Sequence, residues 1–165
     1  MEDLPKGRLA KLKERFNEAG GFNGVIFSEM INYPLIEVPK EKIVELSTIL
    51  RDEFQFDQLR DLVGVDRFTK EHRFECIYNV YSSVTKARIM LRVKLDSKKP
   101  EVESLYPVWK SADWYEREAF DMFGIVFLNH PDLRRLYLQE EFEYYPLRKD
   151  FPLMGIPGSF SLPKK

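Results

Sequence analysis

The sequence predicts an α+β fold: a mixed, largely antiparallel sheet with helices on one side, followed by an extended C-terminal arm. Three observations carry this. Residues 87–95 alternate polar and apolar with period two, which gives a strand one buried and one wet face. Ile43, Leu46, Ile49 and Leu50 recur at helical spacing, as do Ala112, Tyr115, Ala119, Met122 and Phe123. After Phe127, Pro131, Pro146, Pro152 and Pro157 interrupt every regular pattern, so the chain from 129 on reads as an arm ordered by what it lies against.

The elements follow in order. Leu9, Leu12 and Phe16 indicate a short charged helix stopped by Gly20-Gly21. Val25-Ile26-Phe27 and Leu35-Ile36-Glu37-Val38 are brief apolar runs, read as two strands joined by a turn at Asn32-Tyr33-Pro34. Pro39 opens a segment whose helix ends near Phe54, and Leu59 to Val65 reads as a further strand. Phe74 to Tyr81 is aromatic and β-branched, and Ser82-Ser83-Val84-Thr85 links it to the alternating strand at 87–95. Asp96 to Pro100 is a polar loop. Ser111 is the expected N-cap of the last helix, Asp113 places a negative charge in its first turn, and Gly124 is the expected C-cap. No internal repeat or linker interrupts the chain, which divides into an α+β domain, 1–128, and an arm, 129–165, expected to pack on the domain and on partner subunits.

Composition excludes several functions. The 165 residues carry a net charge of −1, which supplies no basic excess to displace counterions from nucleic acid. No apolar run approaches the ~20 residues that span a bilayer, and the N-terminus has no signal-peptide pattern, so cytoplasmic placement is expected. Cys76 is the only cysteine, too few for a disulfide framework or an iron–sulfur cluster.

Glu116, Glu118 and Asp121 invite an acid–base or metal reading. At ~100° per residue they do not converge on one helix face, so ion pairing with Arg117 and neighbouring bases is the expected role. Arg117 stands four residues from both Asp113 and Asp121, the spacing of helical pairs. His72 and His130 lie apart from any second ligand, and His130, ahead of Pro131, reads as a hydrogen-bonded turn histidine. In the arm, Leu133, Leu136, Phe142, Tyr144, Tyr145, Leu147 and Phe151 interleave with Arg134, Arg135, Arg148 and Lys149. A solvated tail would not hold so much apolar surface in water, and no glycine-rich loop frames these bases for phosphate. Docking on another protein fits best, with Arg134, Arg135, Pro146, Leu147, Arg148, Lys149, Asp150 and Phe151 as contacts. Rival readings are a stand-alone carboxylate enzyme and an RNA-binding sheet, but no RNP-like run of basic and aromatic residues is present.

The run Trp114-Tyr115-Glu116-Arg117-Glu118-Ala119-Phe120-Asp121-Met122-Phe123-Gly124-Ile125, followed by His130-Pro131-Asp132-Leu133-Arg134-Arg135-Leu136, resembles the hallmark of the C subunit (30-kDa subunit) of NADH-quinone oxidoreductase, respiratory complex I. Pro146-Leu147-Arg148-Lys149-Asp150-Phe151-Pro152 is similar to the family's second hallmark. Asn129 stands where the family usually has Gly, and Asn tolerates positive φ. The chain also stops soon after the second hallmark, where many members continue with a charged segment.

The resemblance implies a non-redox scaffold subunit of the peripheral arm of a proton-translocating complex that passes electrons from NADH through FMN and iron–sulfur clusters to quinone. It implies no catalytic, cofactor or metal residue here, with those groups held by partner subunits. The expected partners are the quinone-site subunit (the D subunit of complex I) and the terminal iron–sulfur subunit (its B subunit), on the cytoplasmic side of a bacterial cell membrane. Trp114, Glu116, Arg117, Glu118, Asp121, Phe123, Gly124 and His130 are the hallmark residues, expected to be structural. The alternative within the resemblance is a complex I relative fed by ferredoxin, reduced deazaflavin or a hydrogenase.

Overall fold

The computed structural model describes residues 12–15, 24–30, 33–68 and 70–152. The expected first helix is represented by residues 12–15, which are helical; Leu9, Phe16 and Gly20-Gly21 lie outside the described residues, as does the chain from 153 on. The elements are β1 (Ile26–Met30), β2 (Tyr33–Glu37), a 3-10 turn at Lys40–Lys42, α1 (Ile43–Asp52), β3 (Gln58–Asp66), β4 (Phe74–Tyr81), β5 (Arg88–Leu95), β6 (Glu101–Glu103), α2 (Ala112–Phe123) and β7 (Val126–Leu128).

The five longer strands form one sheet in the order β1-β2-β5-β4-β3. The β2–β5 pair is parallel and the others antiparallel, so the sheet is mixed as expected. Tyr33 and Pro34 differ from expectation: they belong to β2, not to the turn. Pro34 is tolerated because pairing with β5 begins only at Leu35, so its missing N–H leaves no gap on that side. The short parallel pair of β6 and β7 was not expected, because three-residue strands carry too little alternation to register.

The sheet has one dry face. Phe74, Cys76, Tyr78 and Val80 of β4 and their β5 partners Leu95, Val93, Leu91 and Ile89 are all buried. Ile43, Leu46 and Leu50 of α1 and Ala112 and Ala119 of α2 join them in a single core, placing both helices on this side. The opposite face carries Glu37, which binds Arg92 and Lys94.

Close packing of α2 on β3 depends on Gly64, which pairs with Cys76 and points to the dry face. A Cβ built there would sit 2.7 Å from the Phe123 ring. Gly64→Ala is therefore expected to force helix and strand apart and to destabilise by about 2 kcal/mol, read from urea unfolding. An unchanged midpoint would show that the Phe123 ring moves aside freely.

Candidate functional site

The arm closes over the C-terminal half of α2, and carboxylates fix it there. Asp121, on the inward side of α2, has no exposed surface. Its Oδ2 accepts the backbone N–H groups of Leu136, Tyr137 and Leu138 at 3.0, 2.7 and 3.1 Å. Its Oδ1 accepts from the Arg135 guanidinium at 2.8 Å. Burial raises the carboxyl's pKa, but these donors outweigh it and leave Asp121 below the ordinary carboxylate value. One side chain thus satisfies three consecutive arm amides that no helix or strand could.

The second anchor sits further along the arm, at Lys149 and Asp150. Asp66, closing β3, receives the Arg73 guanidinium at 2.9 and 2.7 Å and the Lys149 amide at 2.8 Å. Burial works against its ionisation, yet Arg73 and the Lys149 and Phe68 amides bring its pKa down to about 2. Arg73 reaches on to both oxygens of Asp150, at 2.9 and 2.7 Å. Arg148 lies over the rings of Phe74 and Tyr145 and donates to the Phe123 carbonyl at 2.6 Å. That carbonyl is accessible because Gly124 ends the helix in the left-handed region, φ 71°, as its sequence position suggested. A side chain at 124 would also meet the Arg148 and Tyr145 side chains at 2.5 and 2.6 Å.

Arg117 holds the arm from outside, though not through the carboxylates four residues away. Its guanidinium donates to the carbonyls of Arg134 and Arg135 at 3.2 and 3.3 Å and lies over Trp114. Asp121 has turned inward to Arg135, and Asp113 faces His130. Ser111 does not cap α2 either; its hydroxyl donates to the Leu59 carbonyl at 2.9 Å, tying the helix start to β3.

Glu116 is the third buried carboxylate. Its oxygens accept from the Ser104 hydroxyl at 2.6 Å and the Leu105 amide at 2.7 Å, and among the described residues no arginine or lysine pairs with it. Burial, helped by nearby Asp113, pushes its pKa up to about 7. The His130 side chain, fully enclosed, places Nε2 3.9 Å from Glu116. His130 is the turn histidine expected: Nδ1 accepts the Asp132 amide, leaving Nε2–H to face the Asp113 carbonyl. Asn129 adopts φ 60°, the positive value its side chain tolerates, and donates to Glu103.

The hallmark residues therefore come together, with Glu116, Asp121, Gly124 and His130 inside and Trp114 and Glu118 outside. Of the arm residues expected to dock, Arg135 and Arg148 direct their charges into the chain, and Asp150 pairs with Arg73. Arg134, Leu147 and Lys149 remain exposed, while Pro146 and Phe151 are half-buried. Asp66, Arg73 and Ser104 escape sequence reasoning, because the arm and the turn that use them lie far along the chain or carry no local spacing.

Burial pushes the Cys76 thiol far above its ordinary pKa, so it is no thiolate ligand. Among the described residues no group of three His, Cys, Asp or Glu side chains is placed to hold a metal. What the geometry defines is a structural class: an α+β module whose buried carboxylates fix a wrapped arm and leave aromatic side chains facing outward.

Comparison gives the family. The model of the respiratory-chain NADH dehydrogenase 30-kDa subunit matches residues 36–157. The NADH-quinone oxidoreductase C 2 subunit of Rhizobium etli (strain CIAT 652) is 48% identical over 161 residues, covering 94% of this chain and 81% of its own. The NADH-quinone oxidoreductase C subunit of Geotalea uraniireducens (strain Rf4) is 36% identical over 161 residues, with 94% and 93% covered. A solved trypsin-resistant fragment of Nqo5 superposes with TM-score 0.65 at 28% identity, covering 76% of this chain and 99% of the fragment. A chain of an archaeal membrane-bound sulfane sulfur reductase shares the fold, with TM-score 0.74 at 20% identity and coverage of 89% and 87%. The chain belongs to the 30-kDa subunit family of the respiratory-chain NADH dehydrogenase.

Proposed function

We propose that the chain is a non-redox scaffold and assembly subunit in the peripheral arm of a proton-translocating NADH-quinone oxidoreductase. The observation that carries this reading is the arm itself. The Asp121–Arg135 and Arg73–Asp150 ion pairs and the amides bound by Asp121 and Asp66 hold it on the domain, and Tyr137, Tyr144 and Leu147 stay exposed along it, as does Trp114 on α2. Exposed aromatics on a pre-ordered backbone suit protein recognition, since little side-chain freedom is lost on binding. FMN and iron–sulfur clusters belong, in this reading, to partner subunits, and no residue here is catalytic. The partners are the quinone-site and terminal iron–sulfur subunits, contacted through the outward surfaces of Arg134, Arg135, Pro146, Leu147, Arg148, Lys149, Asp150 and Phe151. The placement is peripheral, on the cytoplasmic side of a bacterial cell membrane. Among the described residues no helix is long and apolar enough to cross a membrane. The names of the bacterial relatives favour NADH over ferredoxin, deazaflavin or hydrogen metabolism as the source of electrons.

Affinity purification of the tagged chain from gently solubilised membranes tests this. The quinone-site and terminal iron–sulfur subunits are expected with it, together with NADH-driven quinone reduction, while the chain purified alone is expected to be colourless and free of iron. Recovery as a lone monomer, or with a stoichiometric flavin or cluster of its own, would overturn the reading.

A further inference from the structure

A groove of about 210 Å³ runs between β3 and α2, beside the Gly64–Phe123 contact. It is lined by residues 61–64 of β3, by Glu118, Ala119, Met122 and Phe123 of α2, and by Leu147 of the arm. Successive strand residues point to opposite faces, so four in a row can line one groove only if it follows the strand's outer edge. β3 is the last strand of the sheet, with no strand beyond it among the described residues. The edge is closed at one end, where Ser111 takes the Leu59 carbonyl, and at the other, where the Lys149 amide meets Asp66. Between these ends, residues 60–65 make no backbone hydrogen bond beyond the ladder with β4 among the described residues.

The groove has an apolar floor and an acidic rim. Val63 is 47% exposed and Leu147 55% exposed, and Met122 and Phe123 lie between them. Trp114, 61% exposed, continues the apolar strip along α2, four residues before Glu118 and eight before Met122. Asp61 and Glu118 stand exposed at the rim, and the side chain of neither has an ion pair or hydrogen bond among the described residues. An open strand edge, an apolar slot and two unmatched carboxylates ask for one kind of occupant: an extended peptide with an apolar anchor and a basic flank.

We propose that this groove receives an extended segment of a neighbouring subunit, which adds to the free edge of β3. An apolar side chain of that segment seats against Met122, Phe123 and Leu147, and an adjacent lysine or arginine meets Asp61 or Glu118. The proposal rests on the chain working inside a multi-subunit complex, and it adds a second contact surface, on the sheet edge, to the arm.

Photoreactive residues placed singly at Asp61 and at Glu118 test it in the assembled complex, with Val84 on the distant hairpin as control. After irradiation, both positions are expected to capture the same peptide of another subunit, with a lysine or arginine within two residues of an apolar one, and Val84 is not. A crosslink only to residues 153–165 of the same chain, only to a second copy, only to an acidic or wholly polar peptide, or to nothing would overturn the proposal. Hydrogen exchange on the unaltered chain is decisive even where a variant fails to assemble. Amides of residues 60–65 are expected to exchange about tenfold more slowly in the complex than in the isolated chain. Equal rates would also overturn it. In each of these failures the chain still co-purifies with the complex, which separates them from failure of the subunit assignment itself.

Discussion

Asp121→Ala is expected to be the most damaging single substitution in the chain, costing about 3–5 kcal/mol. The carboxylate is the shared acceptor of three successive arm amides and the partner of Arg135, whose side chain is only 10% exposed. Its loss leaves a nearly buried guanidinium without a counter-charge and three N–H groups without acceptors. At ~2–4 °C per kcal/mol for a chain of this size, melting should fall by roughly 10 °C. Asp121→Asn should be milder: its single oxygen can still take the amides, but its NH2 then faces the Arg135 donors. Trypsin should cut after Arg134 or Arg135 in both variants under native conditions, and not in the parent. A normal melt together with an uncut arm would mean that Leu133 and the Asp66–Arg73–Asp150 cluster hold the arm without Asp121.

Much of this organisation is legible in the sequence wherever a local pattern carries it. Period-two alternation locates β5, the helical stripes locate α1 and α2, and the glycine after Phe123 marks the end of α2. Asn129 is readable because only a few residue types accept the positive φ its turn demands.

Charged partners are not legible in the same way. On a helix, Asp113, Arg117 and Asp121 look like one exposed ladder, since spacing shows which residues are neighbours and not which way they turn. The arm decides the matter by presenting bare amides to Asp121 and bare carbonyls to Arg117. Arg148 and Asp150 read as outward grips for a similar reason. Their partners Phe123 and Arg73 lie 25 and 77 residues away, beyond any sequence spacing rule. Glu116 departs furthest from expectation: the pattern of charges around it suggests a basic partner, and among the described residues no arginine or lysine pairs with it. The helix stripe contains the signal in part, because Glu116 falls on the same face as Ala112 and Ala119. A carboxylate among core positions is either paired or holds a proton.

That proton sets the second large effect. Glu116→Gln is expected to stabilise the protein by about 2–3 kcal/mol near pH 8 and to change little near pH 4. In the folded chain burial raises the carboxyl from the ordinary 4.5 to about 7, so the folded state binds its proton more tightly than the unfolded state. The stability this supplies is complete below about pH 4.5 and is lost as pH rises through about 7, where the buried group must ionise. Among the described residues no lysine or arginine faces it to offset that ionisation: Ser104 and the Leu105 amide donate hydrogen bonds, Asp113 adds negative charge, and Cys76 and Tyr78 lie below on β4. His130 approaches only to 3.9 Å, and its Nδ1 is already committed to the Asp132 amide. Gln keeps the shape, accepts from Leu105 through its oxygen and donates to the Ser104 hydroxyl through its NH2. Asp66, held at about 2, acts only below the ordinary aspartate value of 3.8 and leaves the window clear. Urea unfolding of parent and variant across about pH 4 to 8 should therefore give curves that meet at the acid end and diverge with rising pH. Parallel curves would show that Glu116 ionises in the folded chain as readily as in water, and that the buried proton does not exist.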